Sequence, residues 1–235
     1  MGRIFEKRKH TMFARFDRMA KAFTRIGKEI AIAVKQNGPN PETNPRLRTA
    51  MQNAKGVNMP KDRVEAAIKR ASSRDEQDYE EVVYEGYGPY GVAILMETAT
   101  NNTTRTVANV RKYLSRGNGT LGTKGSLDFL FTRKGVFKIA KGNLNVDELE
   151  LELIDHGLDD LAVDENEIYI YTAFSDFGAM AKALEEKGIP VISAEKQRIP
   201  NNLVELSEAQ QEEVIKLVEA IEEDDDVQHV YHNMK

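Results

Sequence analysis

The sequence predicts an α+β protein, with an N-terminal three-helix domain followed by two ferredoxin-like α+β domains, the third inserted into the second. Three observations predict this. Apolar residues recur at helical spacing in the N-terminal segment, and after the polar stretch Ser72 to Asp78 the pattern changes to short β-rich runs. From Gly135 to Glu195 the elements then run strand, helix, strand, strand, helix, strand, the order of a split β-α-β unit.

Phe16, Met19, Ala20, Phe23, Ile26, Ile30 and Val34 mark one face of a helix from about Phe13 to Gln36, roughly 36 Å long at 1.5 Å per residue. Gly38-Pro39-Asn40-Pro41 ends it, and Asn44-Pro45, a cap followed by proline in the first turn, opens a second helix to about Gly56. A third runs from Pro60 to Ala71. Strands are then expected at Glu81 to Tyr87, Val92 to Thr98 and Ser126 to Thr132, with a helix at Thr103 to Arg116. Next come strand Val136 to Ile139, helix Val146 to His156, strands near Leu161 to Val163 and Ile168 to Tyr171, helix Phe177 to Lys187 and strand Val191 to Glu195. Helix Glu208 to Glu222 and strand Val227 to Tyr231 supply the α-β that the segment before Gly135 lacks. The expected domains are therefore 1–75, 76–133 with 200–235, and 134–199, with hinges at Ser72 to Asp78 and near Pro200.

The 235 residues are 40% hydrophobic and 30% charged, the balance of a globular chain. With no cysteine, disulfides, thiolate nucleophiles, zinc ribbons and iron–sulfur clusters are excluded. No stretch reaches the roughly 18 to 20 apolar residues that cross a bilayer, and MGRIFEKRKHTMF lacks the apolar core of a secretion signal, so a cytoplasmic protein is expected.

The net charge of -5 conceals a polarity. Met1 to Ala71 carries 17 lysines and arginines against 6 acidic residues, net +11; Ser72 to Lys235 is net -16. A polyanion can bind the first part while the rest limits nonspecific association. Arg15, Arg18, Lys21, Arg25 and Lys28 recur every three or four residues on the long helix and form one cationic edge.

Catalytic chemistry is hard to find. His10, His156, His229 and His232 are the only histidines and no ligand motif accompanies them. No nucleophile elbow is present. The glycine-rich run Gly117 to Ser126 is not a Walker sequence, because Lys124 is followed by Gly125 and a strand. It is either a flexible turn or a phosphate contact through Lys124, supported by Arg105 and Arg116. The acidic run Glu222 to Asp226 ends a helix where the dipole disfavours it, and reads as a solvated end or a docking surface for the basic helices. An enzyme using Asp224, Asp225, Asp226 and His232 is the remaining catalytic alternative.

Seven segments then carry a resemblance. They are Phe23-Thr24-Arg25-Ile26-Gly27-Lys28-Glu29-Ile30, Asn44-Pro45-Arg46-Leu47-Arg48, Asn58-Met59-Pro60-Lys61-Asp62, Tyr84-Glu85-Gly86-Tyr87-Gly88-Pro89, Asn102 to Val107, Leu121-Gly122-Thr123 and Asp225 to Asn233. In register from about Met19 to Met234, they resemble the YebC/PmpR family. The resemblance implies a helical domain and two α+β domains, with bacterial members described as DNA-binding transcriptional regulators and mitochondrial relatives as translational activators. The family's usual N-terminal arm contains tryptophan; this chain has none and begins with a different basic stretch.

The expectation is a non-enzymatic nucleic-acid-binding regulator of gene expression, a DNA-binding transcriptional regulator, with a ribosome-associated translational activator binding RNA as the alternative. Its partner is promoter DNA or ribosomal RNA, with no membrane, metal or cofactor, and it is expected to be a monomer. The expected phosphate contacts are Arg15, Arg18, Lys21, Arg25, Lys28, Arg46, Arg48, Lys55, Lys61 and Lys69, joined by Arg105 and Lys124.

Overall fold

A computed structural model describes the backbone of residues 3–73 and 78–235, and side chains from residue 19 onward within those ranges. The chain divides into two compact units, one ending at Tyr79 and one spanning Glu80–Lys235. The order is α+β throughout: a helical unit, then two four-stranded antiparallel sheets.

The first unit holds α1 (Arg3–Asn37), α2 (Pro45–Gly56) and α3 (Lys61–Ala71). Ile30, Ala33 and Val34 of α1 pack with Leu47, Ala50 and Ala54 of α2 and Val64 of α3. Gly38, at φ 82, ends α1 in the left-handed conformation that glycine adopts freely. Asn44 explains why α2 begins where it does. Its Oδ1 accepts from the Leu47 N–H at 3.0 Å, while its Nδ2 donates to the carbonyls of Ala33 at 2.7 Å and Gly38 at 2.8 Å. One buried side chain thus caps α2 and ties it to the end of α1.

The second unit begins with the hairpin β1 (Glu80–Tyr87) and β2 (Ala93–Thr100), followed by α4 (Thr103–Arg116) and the two-residue β3 (Thr120–Leu121). The chain then builds the second sheet from β4 (Phe131–Ala140), α5 (Val146–Ile154), β5 (Leu158–Asp164), β6 (Glu167–Ala173), α6 (Phe177–Glu186) and β7 (Val191–Pro200). It returns through α7 (Glu208–Glu222) to β8 (Val227–His232), which pairs with β2. The sheet orders are β3-β1-β2-β8 and β5-β6-β4-β7, so the second sheet is inserted in the sequence of the first.

One expectation is corrected. Ser126 to Thr132 and Val136 to Ile139 are not two strands: a 3-10 turn at Asp128–Leu130 leads into the single strand β4, and β3 lies upstream in the glycine-rich run. The segment Leu127 to Phe131 lies against Ala93 and Leu95, covering the side of the first sheet that faces away from α4 and α7.

Candidate nucleic-acid interface

The cations expected to meet phosphate fall into three groups. Arg15 and Arg18 lie outside the described residues, since their side chains precede residue 19. Lys21 and Arg25 are half-buried on α1, and Lys28 is only 9% exposed, with its ammonium 5.2 Å from the centre of the Tyr79 ring. Burial there lets the charge meet the ring's negative face, a contact that also fixes the end of the unit. Arg46 on α2 is half-buried and donates to the Glu29 carboxylate at 3.2 Å and to Gln36 at 3.1 Å.

Arg48, Lys55, Lys61 and Lys69 are exposed. Arg48 and Lys55 lie seven residues apart on α2 and so share one side of it. Lys61 and Lys69 occupy the two ends of α3, and Lys61 has an i,i+4 partner in Glu65 at 3.5 Å, with its side chain 90% exposed. Such an exposed pair holds the lysine weakly and leaves it available to another anion. Arg63 and Arg70, exposed on α3, extend this surface and were not singled out from sequence; their seven-residue spacing was the available signal. Lys55, Lys69 and Arg70 all sit in last turns, where positive charge also suits the helix dipole.

Arg105 is engaged within the fold. Its guanidinium donates to Asp226 through Nη2 at 2.7 Å and Nε at 3.2 Å, which holds its pKa above the ordinary arginine value. The same Asp226 oxygen accepts from Thr106 at 2.9 Å and Thr100 at 3.2 Å, and Asp226 is buried. Asp224 accepts from Asn109 at 2.8 Å and Tyr113 at 3.1 Å. Burial, then the Asp224 charge, raises the Tyr113 pKa. The acidic run is thus a solvated end only in part: Glu223 and Asp225 are exposed, whereas Asp224 and Asp226 bind α4 to the start of β8. This also uses Asp224 and Asp226, two members of the catalytic alternative. Among the described residues no group of three or more His, Asp or Glu is placed to hold a metal ion.

Lys124 is exposed in the glycine-rich run. The run is anchored by Glu85, buried on β1, whose two carboxylate oxygens accept from the N–H groups of Gly125 and Leu127 at 2.6 Å each. The loop is thus held at its base, with Lys124 presented beside the anchor. No described helix is long and apolar enough to cross a membrane.

Residues 3–74 match the TACO1/YebC protein N-terminal domain, and residues 79–234 the TACO1/YebC second and third domain. A relative in Cytophaga hutchinsonii, named "probable transcriptional regulatory protein", is 64% identical over 234 residues, covering 100% of this chain and 98% of its own. A protein of the same name in Parabacteroides distasonis is 57% identical over 236 residues, covering 100% and 97%. The crystal structure of a conserved hypothetical protein from Aquifex aeolicus matches with a TM-score of 0.82 at 38% identity, over 92% of this chain and 90% of that one. The helical unit and the two sheets are thus each accounted for by the same group of proteins, and the chain belongs to the TACO1/YebC family.

Proposed function

We propose that this protein is a non-enzymatic, nucleic-acid-binding regulator of gene expression, and that it acts as a transcriptional regulator on DNA. The observation that carries the reading is the segregation of charge, +11 over the first 71 residues against -16 over the rest. Arg48, Lys55, Lys61 and Lys69 present part of that charge on α2 and α3, and the names of the relatives support the regulatory role. No zinc finger or basic zipper accompanies the basic helices, so phosphate contact is the main source of affinity.

Binding to duplex DNA should therefore fall steeply with salt. Each phosphate contact releases counterions and adds about 0.9 to the slope of log affinity against log salt. Reversing Arg48, Lys55 and Lys69 together should lower that slope by about 2 to 3, while unchanged affinity and slope would refute the placement. A second reading, translational activation through structured RNA, draws on the anchored Gly117 to Gly125 loop with its exposed Lys124. Sedimentation of lysate with and without RNase separates them: RNase-sensitive co-migration with ribosomes supports the RNA reading, and recovery in light fractions supports DNA.

A further inference from the structure

Negative charge gathers on one part of the inserted sheet. Residues 142–181, which span α5, β5, β6 and the start of α6, contain 11 aspartates and glutamates and no lysine or arginine. Three of these carboxylates meet cations from outside the stretch: Glu152 meets Lys187 at 2.7 Å, Asp159 meets Lys134 at 2.6 Å and Glu167 meets Lys138 at 3.2 Å. Asp147, Glu148 and Glu150 on α5 and Asp155 just after it are exposed. Among the described residues these four form no ion pair with a cation.

α5 buries Leu149 and Leu153 in the core beneath it. At about 100° per residue, Leu151 falls on the far side of the helix, roughly 160 to 200° from both. It is 71% exposed, and Ile154, one turn further along, is 55% exposed. No tilt of α5 on its own sheet buries Leu151 while keeping Leu149 and Leu153 inside. A lone exposed leucine is ordinary, but this one shares a helical row with a second branched side chain. The other surface neighbours of Leu151 are Asp147, Glu148 and Asp155, at three- and four-residue spacing. α5 also has no basic residue in its last turn, where the helix dipole favours positive charge.

We infer that the outer face of α5 docks a cationic amphipathic helix of a partner protein. Leu151 and Ile154 supply a ridge for its apolar stripe, and the carboxylates around them, with the negative end of the helix dipole, receive its lysines and arginines. Charge fixes the class of partner. Nucleic acids and anionic lipid surfaces are repelled here, and so is a second copy of α5. An extended cationic chain would use the carboxylates but would not match an apolar pair spaced by one helical turn. The inference goes beyond the nucleic-acid reading, which concerns the basic first unit, and neither depends on the other.

The test uses the full chain and three labelled synthetic peptides of about 15 residues, too short to hold a helix alone in water. One places leucines at i, i+3, i+4 and i+7 among lysines and arginines, one has the same composition shuffled out of helical register, and one replaces the cations with glutamate. The first should bind and gain helical circular dichroism, the second should bind about tenfold more weakly or worse, and the third should not bind. Leu151→Gln with Ile154→Gln should weaken the first peptide about tenfold or more and leave its salt dependence unchanged. Glu148→Gln, Glu150→Gln and Asp155→Asn together should slow its association about threefold to tenfold at low salt and flatten the salt dependence. Ile215→Gln removes an isolated apolar side chain, 44% exposed, from the acidic helix α7, and should change affinity less than about twofold. Unchanged circular dichroism and melting midpoint show that the variants fold.

Equal binding of the amphipathic and shuffled peptides reduces the attraction to net charge and overturns the inference. So does an α5 variant lacking Leu151 and Ile154 that keeps wild-type affinity, or an Ile215→Gln variant that loses as much. Binding without a gain of helix overturns it in favour of an extended partner. Sedimentation of the wild type as a dimer that the Leu151→Gln, Ile154→Gln variant breaks overturns it in favour of a second copy.

Discussion

The two sheets differ in how many faces they bury. In the first, Val92, Ile94 and Met96 pack against Val110, Leu114, Val214 and Leu217 of α4 and α7, and Ala93 and Leu95 pack against Leu127 and Phe131 on the other side. In the second, Phe137, Ile139, Ile168 and Ile170 pack against α5 and α6, and the opposite face carries Tyr169, Tyr171, Lys134 and Lys138, all partly exposed. The strands record the difference: all but one residue of β2 is buried, whereas β6 alternates strictly between buried and half-buried. A continuous apolar strand signals cover on both sides, and alternation signals cover on one.

The comparison can be broken by cutting the extra cover. Leu95→Ala removes a fully buried side chain from the second side of the first sheet and should cost about 2–5 kcal/mol in denaturant unfolding. A loss below about 1 kcal/mol would mean that the Leu127 to Phe131 segment is no true core. The next test loosens the join between the sheets. Arg198, 5% exposed on β7, donates to Glu97 on β2 and to Asp128 in the covering segment. Arg198→Met should cost about 1–3 kcal/mol and broaden unfolding toward two transitions, one for each sheet. Tyr169→Thr lies on the open face of an interior strand of the second sheet and should cost less than about 1 kcal/mol.

The smallest effects concern acid, and they divide the sheets by pH window. Burial lowers the pKa of His232 on β8 from 6.5, so below 6.5 the unfolded chain takes up a proton that the folded chain refuses. Stability is lost as pH falls from there toward the lowered folded value. Glu167 on β6 has its pKa lowered from 4.5, first by the Tyr169 hydroxyl and then by Lys138. Its contribution is intact above 4.5 and is lost only as pH falls further. His232→Gln should flatten the stability profile in the upper window, and Glu167→Gln in the lower.

Local chemistry was legible where neighbours in sequence supply it. Asn102 accepts from the Arg105 N–H to start α4, and Ser207 with Gln210 forms a capping box for α7, so both helices occupy the expected limits. Gly135 misled because an isolated glycine within a β-rich run resembles a break. It lies inside β4, where a Cβ would meet Thr172 at 2.7 Å and Phe177 at 2.8 Å, so tertiary packing requires it. Asp226 was illegible for the opposite reason: its partner Arg105 is 121 residues away. The same distance hid the internal use of Arg105, and nothing in the sequence near Lys28 foretold the Tyr79 ring above it.

The pairing of β2 with β8 also sets a timetable. Ile94 meets His232 across 138 positions, with the whole second sheet synthesised between them. The N-terminal helices and the inserted sheet can assemble from contacts already made while the chain lengthens, but β2 keeps an open edge until the last few residues emerge. An unpaired apolar edge of this kind is a template for pairing with another chain, and a stalled or clipped chain exposes it indefinitely. Loss of a handful of C-terminal residues should therefore be read by proteases as a failure of the whole first sheet.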